Sequence, residues 1–275
     1  MSIWQLAVLV GALALGNLAY ADDPAGELQQ LVDKASAHRV LLVGEVHGTS
    51  ETPARVAELA AAMASEERPL IVGVEIWRTE QERIDRFIAS AGTAEDRQQL
   101  LDGPFWQRSY QDGRSSVAMA DLLQSLRALA LKAPVRVLAF DLDPKDKPGT
   151  DAERDAQMAE ALRTVLNQQP EVRALVLAGN FHTRIQEGAP WDPDHRFMGF
   201  LLSEFRPYSI EIMGVSGSSW TCTGRTTDTC MARDMPANEL QAGLQLGDEI
   251  NARGHLGHWW LAQVSASPPA RDPRP

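Results

Sequence analysis

The chain has 275 residues, which is enough for one large domain with a well-buried core. Its 44% hydrophobic and 23% charged residues are typical of a globular protein. Its formal net charge of −11 at pH 7 would repel nucleic acids and anionic membrane surfaces, so neither is an expected partner.

The first residues are typical of a secretory signal peptide. An apolar run over Leu6–Leu15 is too short for a membrane span, and Ala19-Tyr20-Ala21 matches the small-residue pattern at which signal peptides are cleaved. No lysine or arginine precedes the run, and a short N-terminal anchor helix is the alternative. We expect residues 1–21 to be removed, leaving a periplasmic or secreted protein without a stable membrane anchor.

The rest of the chain alternates between predicted helices and short apolar strands. Periodicity and capping patterns place helices over residues 26–38, 50–67, 79–91, 115–131, 150–167 and 197–205. Apolar runs place strands at residues 39–43, 70–74, 135–140, 174–178, 208–214 and 259–264. The alternation predicts one α/β domain over residues 22–264, with a mainly parallel central sheet, helices on both faces and C-terminal β additions. The Pro-rich residues 265–275 are expected to be disordered.

The only two cysteines lie close together, at Cys222 and Cys230. In an oxidising compartment this spacing suits a disulfide that closes a small loop. A metal pair is the less favoured interpretation, because no histidine or third cysteine lies nearby. We therefore expect a structural disulfide.

Two of the predicted strands end in the same motif, Gly-x-x-His. Residues 44–47 read GEVH and residues 179–182 read GNFH. Ligand sites of open parallel sheets lie beyond the carboxyl ends of the strands, so both motifs are expected to feed one pocket. The glycines are expected to let the backbone turn sharply where each strand leaves the sheet.

Further charged residues follow these and neighbouring strands. Glu75 ends the second strand, and Arg184 follows the second motif. Asp141 and Asp143 follow the third strand, where turn formation is an equally good explanation. Glu45, next to His47 in the first motif, is placed to orient that histidine. A pocket lined by histidine and glutamate is therefore expected at this edge of the sheet.

These motifs resemble those of a superfamily that includes Tiki proteases, TraB proteins, erythromycin esterases and ChaN-type haem-binding uptake proteins. The resemblance covers about Val40 to Gly217 and rests on GEVH, GNFH and the glutamate that ends VGVE. It matches the two motif histidines to His47 and His182 and the glutamate to Glu75; Arg114 is a weaker match. The resemblance implies an α/β fold with a His/Glu pocket. It does not imply one function, because the superfamily includes proteolysis, lactone hydrolysis and haem binding.

The first functional hypothesis is an exported hydrolase of an ester, lactone or amide, acting on a small molecule or peptide. His47 would be the general base on a water molecule, oriented by Glu45 or Glu75, and Arg114 or Arg184 would stabilise the oxyanion. The sequence has no G-x-S-x-G motif, so no nucleophilic serine is indicated.

A second mechanism for the same hydrolase uses a divalent metal. His47, Glu75 and His182 would bind Zn²⁺ or Mn²⁺, and the metal would supply hydroxide. The sequence has no HExxH-type spacing, so the identity of the metal stays open.

The alternative function is haem binding without catalysis. His47, His182 or Tyr110 would ligate the iron, and apolar side chains would cover the porphyrin. Two departures weaken this interpretation. The chain has no cysteine at the predicted cleavage point for a lipid anchor, and residues 52–58 lack the further histidine of some haem-binding members.

Overall fold

A computed structural model describes residues 24–65, 67–146, 149–224, 226–236 and 239–271. The predicted signal peptide, residues 1–21, lies outside the described residues. Within the described ranges, no helix has both the length and the apolar character needed to cross a membrane.

Helices and strands alternate along the chain. The α-helices are α1 (Pro24–Ala35), α2 (Glu51–Met63), α3 (Gln81–Ala89), α4 (Ala94–Leu101), α5 (Pro104–Gln107), α6 (Val117–Ala130), α7 (Asp151–Gln168) and α8 (Met198–Leu201). The strands are β1 (Val40–Glu45), β2 (Leu70–Trp77), β3 (Val135–Asp141), β4 (Arg173–Gly179), β5 (Tyr208–Gly214), β6 (Ser218–Cys222), β7 (Cys230–Asp234), β8 (Gly243–Leu246) and β9 (Gly257–Leu261).

Seven strands form the main sheet, in the order β3-β2-β4-β1-β5-β9-β8. All neighbouring pairs are parallel except β8 and β9, which form an antiparallel pair at one edge. Strands β6 and β7 form a separate antiparallel hairpin, closed by the Cys222–Cys230 disulfide. The predicted fold class and the predicted disulfide are confirmed.

Buried apolar side chains cover both faces of the sheet. In β1, Leu41 and Val43 belong to the core formed with α2, α3 and α6, whereas Val40 and Leu42 belong to the core formed with α7. Successive side chains of a strand point to opposite faces, so an uninterrupted apolar strand contributes to both cores. This arrangement holds the parallel strands in place and leaves their carboxyl ends free for polar residues.

Two expectations about the local structure are wrong. Residues 94–101 and 104–107, where no helix was predicted, are helical, because Thr93 and Asp96 form a capping box and Pro104 opens the second helix. The helix expected over 197–205 is interrupted. It consists of α8 and a 3₁₀ turn over Ser203–Phe205, and ends at Arg206 in the left-handed conformation.

The C-terminal segment also differs from the expectation. Residues 265–271, expected to be disordered, pack along the starts of α2 and α6. Ser50 N–H donates to Ser265 O over 2.9 Å, and Val117 N–H donates to Pro268 O over 2.8 Å. These bonds satisfy backbone N–H groups at the helix N-termini, which lack partners within their own helices. The last four residues, 272–275, lie outside the described residues.

Candidate active site

The two Gly-x-x-His motifs pack against each other. Strands β1 and β4 are neighbours, with Gly44 paired to Ala178 and Glu45 paired to Gly179. A Cβ at Gly44 would lie 2.4 Å from Thr183 Oγ1, and a Cβ at Gly179 would lie 3.0 Å from His47 Nε2. Neither glycine has a positive φ, and each lies within its strand. The prediction that these glycines let the backbone turn sharply is therefore wrong. A side chain at either glycine would clash, because residues of the other motif, or next to it, already fill the space that it would need.

His47 is held by the carboxylate two residues before it. Its Nδ1 lies 2.8 Å from Glu45 Oε1, and the Glu45 side chain is buried. A carboxylate only accepts hydrogen bonds, so Nδ1 carries the proton and the Nε2 lone pair of the neutral ring stays available. His47 Nε2 lies 3.6 Å from Glu75 Oε2, too far for a direct hydrogen bond.

The charges around His47 favour its protonated form. Burial lowers the pKa of His47, but the neighbouring carboxylates of Glu75 and Glu45 outweigh this and raise its pKa above the usual 6.5. Burial also raises the pKa of Glu45, and the hydrogen bond to His47 offsets this only in part. Both groups of the pair therefore hold a proton more strongly than they would in water.

Glu75 lies at the centre of the site and is fully engaged. Its Oε2 accepts the backbone N–H of Gly179 over 2.7 Å. Its Oε1 accepts from Arg154 Nη2 over 2.6 Å and from Arg114 Nη1 over 3.0 Å. Burial raises the pKa of Glu75, but His47 and the other neighbouring cations outweigh it and hold the pKa well below its usual range. Glu75 is therefore ionised at neutral pH.

The two arginines bind a second layer of carboxylates. Asp141 accepts from Arg114 Nη1 over 2.6 Å and from Arg154 Nε over 2.8 Å. Asp112 accepts from Nε and Nη2 of Arg114, and also from Arg108. Burial raises the pKa of Asp112, but the Arg114 and Arg108 guanidinium groups outweigh it and lower the pKa. Every guanidinium nitrogen of Arg114 thus already donates to a carboxylate.

His182 is bonded on both ring nitrogens. Its Nδ1 lies 2.7 Å from Asp155 Oδ1, and its Nε2 lies 2.9 Å from Arg154 Nη1. Arginine can only donate, so His182 Nε2 accepts from Arg154 and its lone pair is already engaged. Asp155 also binds His195 Nε2 over 3.0 Å and accepts the backbone N–H of Met198. His182 therefore fixes Arg154 rather than facing the pocket with a free nitrogen.

Arg154, Asp155 and Asp112 were not among the predicted site residues. Arg154 and Asp155 lie in the first turns of α7, whose N-cap Thr150 follows the carboxyl end of β3. A helix that starts at this edge of a parallel sheet presents its first turns to the ligand site, which is a signal present in the sequence. Asp112 lies in an irregular segment and has no comparable signal.

The remaining predicted residues lie around the network or apart from it. Tyr110 donates its hydroxyl to Gly224 O over 2.8 Å and lines a cavity of about 340 Å³ together with His47. Arg184 does not join the carboxylates around Glu75. Its guanidinium lies over the ring of Phe197 and donates to Gly188 O.

The cavity is the open part of the site. Its walls come from the ends of β1 and β4, the segment around Tyr110, and the β6–β7 hairpin. The lining residues are Glu45, Val46, His47, Tyr110, Asp112, Gly179, Asn180, Phe181, His182, Thr221 and Cys222. Asn180 is held in place, since its Nδ2 donates to the buried Glu211 over 3.2 Å.

The predicted metal-ligand set does not fit a divalent cation. The guanidinium groups of Arg114 and Arg154 lie against Glu75 Oε1, where a metal ion would be repelled. The lone pair of His182 Nε2 already accepts from Arg154. No group of three His, Cys, Asp or Glu residues suited to a metal occurs in the described parts of the chain.

The predicted haem ligands are only partly suitable. His182 is excluded for the same reason, because its Nε2 faces a guanidinium. His47 and Tyr110 both line the cavity, so an axial ligand would have to come from one of these two side chains.

A family model described as haem-binding uptake, Tiki superfamily, ChaN, matches residues 31–145. The predicted resemblance to this superfamily is confirmed. The matched segment is less than half of the chain. It includes the first Gly-x-x-His motif, Glu75 and Arg114, and it ends before the second motif. No curated protein matches the chain significantly.

Solved structures with the same fold align over most of the chain. A mutant of the erythromycin esterase EreC in its open conformation has a TM-score of 0.62 at 10% identity, covering 91% of this chain and 96% of that chain. A succinoglycan biosynthesis protein has a TM-score of 0.56 at 10% identity, with coverages of 87% and 91%. A protein from Bacillus cereus has a TM-score of 0.55 at 12% identity, with coverages of 89% and 93%. At such low identity the similarity shows the fold alone.

Proposed function

We propose that the protein is a hydrolase that cleaves an ester or lactone with His47 as general base and without a catalytic metal. The arrangement of Glu45 and His47 is the observation that carries the proposal. Glu45 fixes the proton on Nδ1, so Nε2 is free to accept a proton at the wall of an open cavity. The fold shared with an erythromycin esterase is compatible with this activity.

The reaction needs one water molecule and one proton carrier. His47 Nε2 takes a proton from the water as its oxygen forms a bond to the carbonyl carbon, and the carbonyl electron pair moves onto oxygen. When this intermediate collapses, the bond to the alkoxide leaving group breaks, and His47 returns the proton to that oxygen. Glu45 stabilises the imidazolium that exists between the two transfers.

The arginines and Glu75 set the charge around the base and do not react. Asn180 lines the cavity beside His47 and Arg114 does not, so we assign the oxyanion donor to the side-chain amide of Asn180. Its bond to Glu211 uses one hydrogen of the NH₂ group, fixes the orientation of the group and leaves the second hydrogen to donate. A neutral donor fixed in advance is what stabilises a developing oxyanion.

The test is kinetics of purified protein with a panel of simple esters and lactones. His47→Ala should reduce kcat by about a hundredfold or more, and Glu45→Gln and Asn180→Ala by about tenfold to a hundredfold. The double variant of His47 and Glu45 should be scarcely slower than His47→Ala, because residues that act as a unit are not additive. His258→Ala, in the C-terminal β9, is the matched control and should keep full activity. Full activity in His47→Ala would contradict the proposal.

The pH profile tests the same assignment independently. Only neutral His47 accepts a proton, so kcat/KM should rise with pH and level off above the raised pKa of His47, with a midpoint above 6.5. Glu45→Gln removes one of the carboxylates that raise this pKa, so the midpoint should move to lower pH. A midpoint that is the same in both proteins would contradict the role of Glu45.

Haem binding is the second candidate, and the description of the matching family favours it. Hemin added to the protein should then give a Soret band that His47→Ala or Tyr110→Phe abolishes. If hemin gives no Soret band and the protein hydrolyses esters, haem binding is contradicted and the hydrolase is supported.

Export is also part of the proposal. It rests on the apolar run and Ala-Tyr-Ala pattern of residues 1–21, and the disulfide between Cys222 and Cys230 is consistent with an oxidising compartment. N-terminal sequencing of protein from a periplasmic fraction should begin at Asp22. An intact N-terminus in the membrane fraction would contradict export.

A further inference from the structure

Exposed aromatic side chains gather at one place on the surface. Within the described ranges, the large aromatic side chains with high exposure are Tyr110 at 37%, Phe181 at 39% and Trp191 at 61%. Tyr110 and Phe181 both line the cavity beside His47. Trp191 lies against Phe181, with ring centroids 4.9 Å apart and planes at 68°. Exposed apolar patches of this kind mark ligand-binding surfaces.

Phe181, at the centre of this aromatic surface, packs against two further side chains. Phe181 stacks on the buried Phe197, with centroids 6.0 Å apart and planes at 28°. The guanidinium of Arg184 lies over both rings, at 6.0 Å and 5.4 Å from their centroids. Phe181 thus packs against a buried ring and lies beside a cation, and 39% of it remains exposed. A ring fixed in this way binds a partner without losing further conformational freedom.

We infer that the substrate of the proposed hydrolase carries an uncharged aromatic ring, which binds at the surface formed by Tyr110, Phe181 and Trp191 while its ester group faces His47. This inference rests on the proposed function and names its substrate class. Aromatic rings bind one another in offset-stacked or edge-to-face arrangements, and the exposed faces and edges here allow both.

The overall charge of the protein favours an uncharged ring over an anionic one. Glu45 and Asp112 line the cavity, and the chain as a whole has a net charge of −11. The arginines next to these carboxylates, Arg114 and Arg108, are already paired with Asp112. With a net charge of −11 on the chain, an uncharged ring meets less repulsion than a benzoate-type or phosphorylated ring.

The experiment compares two acetate esters, 2-phenylethyl acetate and butyl acetate, in which a phenyl ring takes the place of a terminal ethyl group. Both have primary alkoxide leaving groups of similar reactivity, so a difference in KM reports binding of the ring. We expect KM for 2-phenylethyl acetate to be about tenfold lower. In Trp191→Ala and in Phe181→Leu, KM for 2-phenylethyl acetate should rise about fivefold, and this rise should be larger than the rise for butyl acetate. The matched control is Leu131→Ala, which removes a side chain that is 68% exposed beyond the end of α6.

A binding measurement separates the inference from the proposed function. Calorimetric titration of 2-phenylethyl acetate into His47→Ala should show tighter binding than butyl acetate, and Trp191→Ala in the same background should remove the difference. Equal binding of both esters would overturn the inference even if the wild-type protein hydrolyses them. Selective binding without hydrolysis by the wild-type protein would overturn the hydrolase and retain the aromatic site.

Discussion

At the scale of single residues, the glycines explain how two distant histidines come to share a pocket. A side chain at Gly44 would overlap Thr183 and the backbone of Asn180, whereas a side chain at Gly179 would meet only the ring of His47 and the carboxylate of Glu75. The first glycine therefore sets the packing of two loops, and the second sets the position of the base. Substitution of the two should have different consequences.

We predict that Gly179→Ala lowers activity more than stability. The new methyl group lies 3.0 Å from His47 Nε2, so the imidazole must move by a few tenths of an ångström, which should reduce kcat about tenfold. Gly44→Ala should instead lower the free energy of unfolding by about 1–3 kcal/mol, because its contact at 2.9 Å is with the backbone at Asn180 Cα. Urea denaturation and kcat measured for both variants check this. Similar losses of stability in the two would contradict the distinction.

At the scale of elements, the β6–β7 hairpin is a wall of the candidate site. Thr221 and Cys222 line the cavity, and Trp220 Nε1 donates to Gln111 O over 3.0 Å. Tyr110 reaches the hairpin through its bond to Gly224 O. The hairpin lies outside the main sheet, and the disulfide joins its two strands next to the connecting loop, as a covalent constraint on this wall.

Replacing both Cys222 and Cys230 by serine should loosen this wall. A disulfide that closes so short a loop stabilises by about 2–3 kcal/mol in the chain-entropy model. We expect faster amide hydrogen exchange over β6 and β7 and a KM raised severalfold, with kcat changed little because His47 is held by β1 and Glu45. Met231→Ala, an exposed position on β7, is the control and should show neither effect. Unchanged exchange in the double variant would contradict the constraint.

At the scale of the whole molecule, the C-terminal segment joins parts that are distant in sequence. Ser267 N–H donates to Gly48 O over 2.8 Å, directly after the first motif, and Ala270 N–H donates to Ser115 O over 2.9 Å, directly after Arg114. The segment therefore supports both loops that carry site residues.

A chain that ends at Val264 should be less stable than the full chain by several kcal/mol. It loses these two bonds and the two at Ser50 and Val117, each of which contributes about 1 kcal/mol. Its melting temperature should fall, and activity should fall with it because Gly48 and Ser115 lose their support. A chain that ends at Arg271 removes only the last four residues and is the control. An equal melting temperature for the two truncated chains would contradict the role of the segment.

The sequence by itself determined the positions of strands β1 to β5 and most of the helices, although not their exact ends. Apolar runs such as 70–74 and capping boxes such as that of Thr150 depend on residues close in sequence, so they can be recognised without knowledge of the fold. The same is true of the expectation that 44–47 and 179–182 meet, because parallel strands bring their carboxyl ends to one edge. The partners of each side chain were decided by the tertiary structure. Whether His182 Nε2 faces a ligand or Arg154 depends on where α7 packs against the sheet. No local sequence pattern specifies the distance between these two residues. The order of residues 265–271 likewise depends on helix N-termini whose N–H groups need acceptors from elsewhere in the chain.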